Sequence, residues 1–143
     1  MLTRRSRARE VALQLLFQHD VNEDVPRPAV ALFAHNRLSN PEAEVFCLSL
    51  YDGVVRHLAE IDARLTSASE NWKLQRMAAS DRNVLRLGTY EIIYAAEPTP
   101  GPVALDEAID LARRYGSKDS AAFVNGVLDK VFRVFTEIQK TEQ

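Results

Sequence analysis

Apolar residues recur at three- and four-residue intervals along almost the whole chain, and alternating strand-like runs are missing, so the pattern predicts an all-α protein. Counted from Ala8, the positions Val11, Ala12, Leu15, Leu16 and His19 form one stripe of a helix running from about Ser6 to Val21. The VPRP stretch turns the chain into a short helix over Ala29 to Leu38. Asn40 then reads as an N-cap with Pro41 in the first helical position. A long helix follows, with a seam of Leu48, Tyr51, Val55, Leu58 and Leu65 widened by Val54 and Ile61, as in the central helix of a bundle. Asp62 interrupts that seam, which predicts a last turn nearer to solvent.

After a short segment near Trp72 to Met77, Ser80 or Asp81 caps a helix carrying Val84, Leu85, Gly88, Ile92 and Ile93. The EPTPGP connector ends it and is the candidate hinge. A helix over Val103 to Tyr115 closes at Gly116, and Asp119 or Ser120 caps the last one, which holds Val124, Val127, Leu128, Val131, Phe135 and Ile138. The expected architecture is about seven helices in two packed sub-bundles that meet near the connector and form one domain over residues 1–143.

Composition narrows the chemistry. With 46% hydrophobic and 27% charged residues the chain has the make-up of a soluble globular protein, and its single cysteine, Cys47, excludes an internal disulfide. The cytoplasm is the expected compartment: Glu10, Gln14 and Gln18 break the apolar run that might otherwise pass for a targeting segment. The glycines at 53, 88, 101, 116 and 126 are too scattered for a phosphate-binding loop. His19, His35 and His57 lack metal-ligand spacing, and no nucleophile elbow surrounds a serine. His19 and Cys47 read as packing residues, no cofactor or metal is expected, and the chain does not read as an enzyme.

Charge supplies the positive signal. The net charge is −2, yet the first ten residues carry +3 through Arg4, Arg5, Arg7 and Arg9 against Glu10, so the remainder carries −5. If the first helix ran back to Arg4, then Arg4 and Arg5 would face the apolar stripe; residues 1–6 are therefore expected to extend as a mobile basic arm, with Arg7 and Arg9 in solvent beside the stripe. Arg9, Leu13 and Phe17 follow at i, i+4 and i+8 on the opposite face. A cation and a ring on one outward strip suit stacking and phosphate contact with single-stranded RNA, and a second packing face would show the same spacing. Stacking is the reading adopted for Phe17. Asn125 and Gly126 are poor helix formers inside a strong helical run, which fits close helix packing or a contact surface.

Two stretches, RARE-x6-F and DRNVLRLGTYEI with VALDEAIDLARRYGSKDSAAFVNGVLDKV, resemble the NusB family of bacterial transcription antitermination factors. The resemblance implies a non-catalytic, all-helical protein that binds boxA RNA of nascent ribosomal RNA leaders. It implies partnership with the small-subunit ribosomal protein NusE and entry into the complex on elongating RNA polymerase. Carried onto this chain, it assigns RNA contact to Arg4, Arg5, Arg7, Arg9 and Phe17, and, at the start of the last helix, to Lys118, Asp119, Phe123 and Asn125. Asp81 would lie near the same surface, although an N-cap role explains it equally well. Phe17 stands where a tyrosine is common, so a ring is kept and a hydroxyl is not. Related domains also occur fused to RNA cytosine methyltransferases, and no such catalytic domain is read in these 143 residues. A helical adaptor that binds protein alone is the alternative.

Overall fold

A computed structural model describes residues 3–70 and 72–142. Seven α-helices span the described residues: α1 Arg4–Val21, α2 Arg27–Arg37, α3 Pro41–Arg56, α4 Leu58–Ala68, α5 Ala79–Thr89, α6 Gly101–Tyr115 and α7 Ser120–Thr141. A 3-10 turn, Leu74–Arg76, precedes α5, and a π-helical turn, Tyr90–Tyr94, continues it. α1 packs most extensively on α3, and α6 on α7; α5 touches α1, α6 and α7 and so joins the N-terminal and C-terminal groups of helices. The two groups meet along α1 and α5, and the connector lies beside this junction, where Pro98, Thr99 and Pro100 share a cleft with Arg5 and Arg9 of α1.

The central helix is α1, where the seam had pointed to the helix after Pro41. Ala8, Val11, Ala12 and Leu13 are fully buried and Leu15 and Leu16 almost so, which covers α1 on nearly every side. Each buried leucine or valine contributes about 1.5–3 kcal/mol. The expected long helix is two: at His57 the backbone leaves the helical region (φ −102°, ψ 16°), and the imidazole stacks on Tyr94 at 4.8 Å. Asp62 is half-buried and bonded to Arg86 instead of facing solvent freely.

The arm expected over residues 1–6 is helical from Arg4 onward, and Met1 and Leu2 lie outside the described residues. Thr3 caps α1 by accepting the Ser6 N–H at 3.0 Å, and the Ser6 hydroxyl donates to Glu107 at 2.9 Å. Those bonds offset the repulsion of arginines at a helix N-terminus. The connector is likewise pinned: the Thr99 N–H and hydroxyl both donate to Glu91, at 3.1 and 2.7 Å, so it is no free hinge.

Asn40 accepts the Ala43 N–H at 3.0 Å, as its capping role requires. Neither Ser80 nor Asp81 caps α5; Ala78 holds that position, and Asp81 falls in the first turn. Gly116 closes α6 in extended backbone and leaves room for the Ser120 side chain, which would collide with a Cβ there. Gly126 has nothing within 4 Å of where a Cβ would stand, so close helix packing does not explain it.

Candidate nucleic-acid interface

Arg9 is where geometry departs furthest from expectation. It is 3% exposed, and its guanidinium donates from Nε and Nη2 to the Glu91 carboxylate at 2.7 and 2.9 Å. Glu91 is itself 2% exposed, and the carboxylate of Glu107 lies 3.6 Å from Arg9. The helix face that had looked outward is covered by the π-turn and α6, so Arg9 is a buried structural ion pair and is not carried forward as an RNA contact. Leu13 on the same strip is fully buried. Phe17 is half-buried, edge-on to Tyr115 with ring centroids 6.2 Å apart. It also packs against the hydrophobic core, with part of its surface left accessible.

The other arginines stay at the surface. Arg4 is exposed in the first turn of α1, and Arg5 lies over the Phe46 ring at 4.3 Å. Arg7 pairs with Glu10, whose second carboxylate oxygen takes Arg114 from the end of α6. One carboxylate between two half-exposed guanidiniums leaves a net positive charge at this point.

From Arg114 a continuous surface can be followed. Tyr115 accepts a hydrogen bond from Gln14 at 3.2 Å and touches Phe17. The chain then passes Gly116 to Ser117, whose N–H donates to the Ser120 hydroxyl at 2.9 Å, and on through exposed Lys118 and Asp119. Beyond them a cavity of about 300 Å³ is lined by Asp81, Asp119 and Phe123 together with Trp72, Arg76 and Ser120. Phe123 meets Trp72 edge-on at 6.1 Å. Three of the sequence-selected residues therefore share one cavity, with Phe17 linked to it through α6 and the α6–α7 loop. Asn125 is exposed on α7 outside the cavity lining.

Trp72, Arg76 and Arg114 were missed. The signal for the first two lay in the WKLQR stretch, an aromatic among cations in a segment too short for helical periodicity to assign. Arg114 was legible only as one of a pair at the end of a helix, where cations complement the dipole.

The start of α5, and with it Asp81, is held by a polar network on the end of α1. Asp20 receives Arg82 at 2.9 Å, Asn83 at 2.7 Å and Arg86 at 3.0 Å, while Arg86 also forks onto Asp62 through two bonds of 2.9 Å. Burial would raise the carboxyl pKa of Asp20, but the hydrogen bonds of Asn83 and Arg82 and the charges of Arg86 and Arg82 outweigh it, holding the group below its ordinary range. A depressed carboxylate contributes stability above its unfolded pKa of about 4 and loses it as the pH falls through the folded value. The urea midpoint should therefore drop between pH 5 and pH 3 by more in the native chain than in Asp20→Asn; equal drops would assign the acid sensitivity elsewhere.

Among the described residues, no group of three or more His, Cys, Asp or Glu side chains could hold a metal ion, and no helix is long and apolar enough to cross a membrane. Cys47 is fully buried, and burial, aided by Asp52 and Glu44, pushes its thiol up to about 12. His19 sits half-buried against Tyr51.

The fold is a helical scaffold whose surface carries cations beside aromatic rings. The NusB family model matches residues 6–133, and the chain belongs to that family. It is 44% identical over 135 residues to the transcription antitermination protein NusB of Solibacter usitatus, covering 93% of this chain and 91% of that one. T. maritima NusB superposes with a TM-score of 0.80 at 34% identity, covering 93% of each chain. A crystal structure of the antitermination factors NusB and NusE in complex with dsRNA matches with a TM-score of 0.80 at 27% identity, over 94% of this chain and 99% of that one.

Proposed function

We propose that this protein is a non-catalytic, cytoplasmic RNA-binding transcription antitermination factor. It takes boxA RNA of nascent ribosomal RNA leaders together with the ribosomal protein NusE, and the assembly joins the elongating RNA polymerase. One observation carries this reading in the molecule itself: from Arg7 and Arg114 through Phe17 and Lys118 to the cavity of Phe123, cations lie beside aromatic rings, with the carboxylates of Asp81 and Asp119 at the cavity. That is the arrangement a single strand requires, with phosphates on the cations and bases on the rings. The net charge of −5 outside the first ten residues favours association with a basic ribosomal protein.

Titrating labelled boxA RNA with the full chain, with and without NusE, tests the reading, and affinity should rise when NusE is present. With about three to four phosphates neutralised, log affinity should fall against log salt with a slope of roughly −2 to −3. Replacing Arg4, Arg5 and Arg7 together with glutamine should remove most of that slope. Absence of RNA binding under both conditions would leave the protein-only adaptor as the better account.

Phe17 allows packing and stacking to be separated. Phe17→Leu keeps apolar volume against Tyr115 but removes the π face, so thermal stability should change by less than about 1.5 kcal/mol. RNA affinity should fall by about 1–3 kcal/mol, the worth of one base–ring stack. Intact affinity in this variant would make Phe17 a packing residue only.

A further inference from the structure

Resting on the RNA-binding reading, we propose that the cavity between Trp72 and the start of α7 is a pocket for one unstacked base, and that Asp81 selects guanine in it. Three observations converge. The cavity, about 300 Å³, is at the small end of ligand pockets, which suits a single base and not a duplex. Trp72 is 57% exposed although it is the largest apolar side chain of the protein, and its one described ring contact is the near-perpendicular one with Phe123. Asp81 lines the cavity with its Oδ1 buried, and no donor among the described residues reaches it.

A buried carboxylate oxygen without a donor costs free energy unless something supplies one. Water could do so, but the neighbouring indole face points to a flat partner that carries N–H groups on its edge. Guanine presents two donors side by side on its Watson–Crick edge, N1–H and the N2 amino group, and a carboxylate offers two acceptors at matching spacing. Neither Asp81 oxygen is engaged by a described hydrogen bond. Base stacking on Trp72 and hydrogen bonding to Asp81 are the two components of single-strand recognition. Arg76 at the rim and Lys73 on the same exposed segment would meet the flanking phosphates.

The chain has one tryptophan, so its emission reports on this pocket alone. Titration of the full chain with boxA RNA should quench that emission in step with the anisotropy of the labelled RNA. Trp72→Ala should weaken binding about tenfold, within the usual worth of a base–ring stack, and Trp72→Phe should restore most of it. RNA in which inosine replaces guanosine, and which therefore lacks the N2 amino group, should bind several-fold more weakly to the native chain. Asp81→Ala breaks no described hydrogen bond and should bind the two RNAs equally. Normal RNA binding with unquenched Trp72, or equal affinity of the native chain for both RNAs, would overturn the proposal and leave the wider RNA-binding reading standing. Failure to bind boxA RNA at all, seen by anisotropy, would overturn both.

Discussion

Arg9→Ala is expected to destabilise the protein by about 3–5 kcal/mol, because it strands the Glu91 carboxylate in the interior. Arg9 and Glu91 are 3% and 2% exposed and form two parallel bonds, so neither charge can turn to water when its partner is removed. The Glu91 carboxylate would retain only the Thr99 hydroxyl as a donor among the described residues, since the Thr99 N–H donates to the Glu91 backbone carbonyl. An exposed RNA-binding arginine would behave in the opposite way, with thermal stability unchanged and RNA affinity reduced. Replacing both partners with apolar residues, Arg9→Met with Glu91→Leu, should recover much of the loss, since buried ion pairs often do no better than packed hydrophobes of similar volume. Chemical denaturation of the two variants decides the matter. A single Arg9→Ala loss below about 1 kcal/mol, the range of exposed pairs, would contradict the burial described here.

The second large effect comes from removing no interaction at all. Gly53 lies in the last turn of α3 against Tyr90, and a Cβ added there would collide with two carbons of the ring and with the phenolic oxygen. Alanine ordinarily gains about 1 kcal/mol over glycine inside a helix. Here Tyr90 would have to leave its place beside His57 or α3 would have to shift, and overpacking of this kind costs about 1–3 kcal/mol. Gly53→Ala should therefore lower the melting temperature, whereas Gly126→Ala, with open space around it, should raise it. The same substitution with opposite signs at two helical glycines separates packing from propensity. A stabilising Gly53→Ala would mean that Tyr90 is free to move.

The contrast between these glycines shows how far local pattern reaches. Both look alike in sequence, as costly residues inside a helical run, and only the neighbour across the helix interface distinguishes them. The break at His57 was hidden for a related reason: the apolar seam continues through it, because α3 and α4 present that seam to the same core. The π-turn after Thr89 was equally silent, since it changes the winding of a helix without changing its composition.

By itself the sequence determined the all-helical class, most helix limits, the Asn40 cap and the membership that its second-half motifs suggested. Those properties rest on interactions between residues within a turn or two of each other, which periodicity and capping report directly. It also selected Asp81, Asp119 and Phe123, but through resemblance and not through any spacing that would bring them together. Tertiary structure alone decided the role of Arg9. A helical wheel shows which face is apolar and cannot show what covers the other face, and the carboxylate that neutralises Arg9 is 82 residues away in the chain. The cavity has the same origin. Trp72, Asp81 and Phe123 belong to three separate elements, and they face one another only because the Asp20 network fixes α5 on α1 while α6 carries the start of α7 to its side.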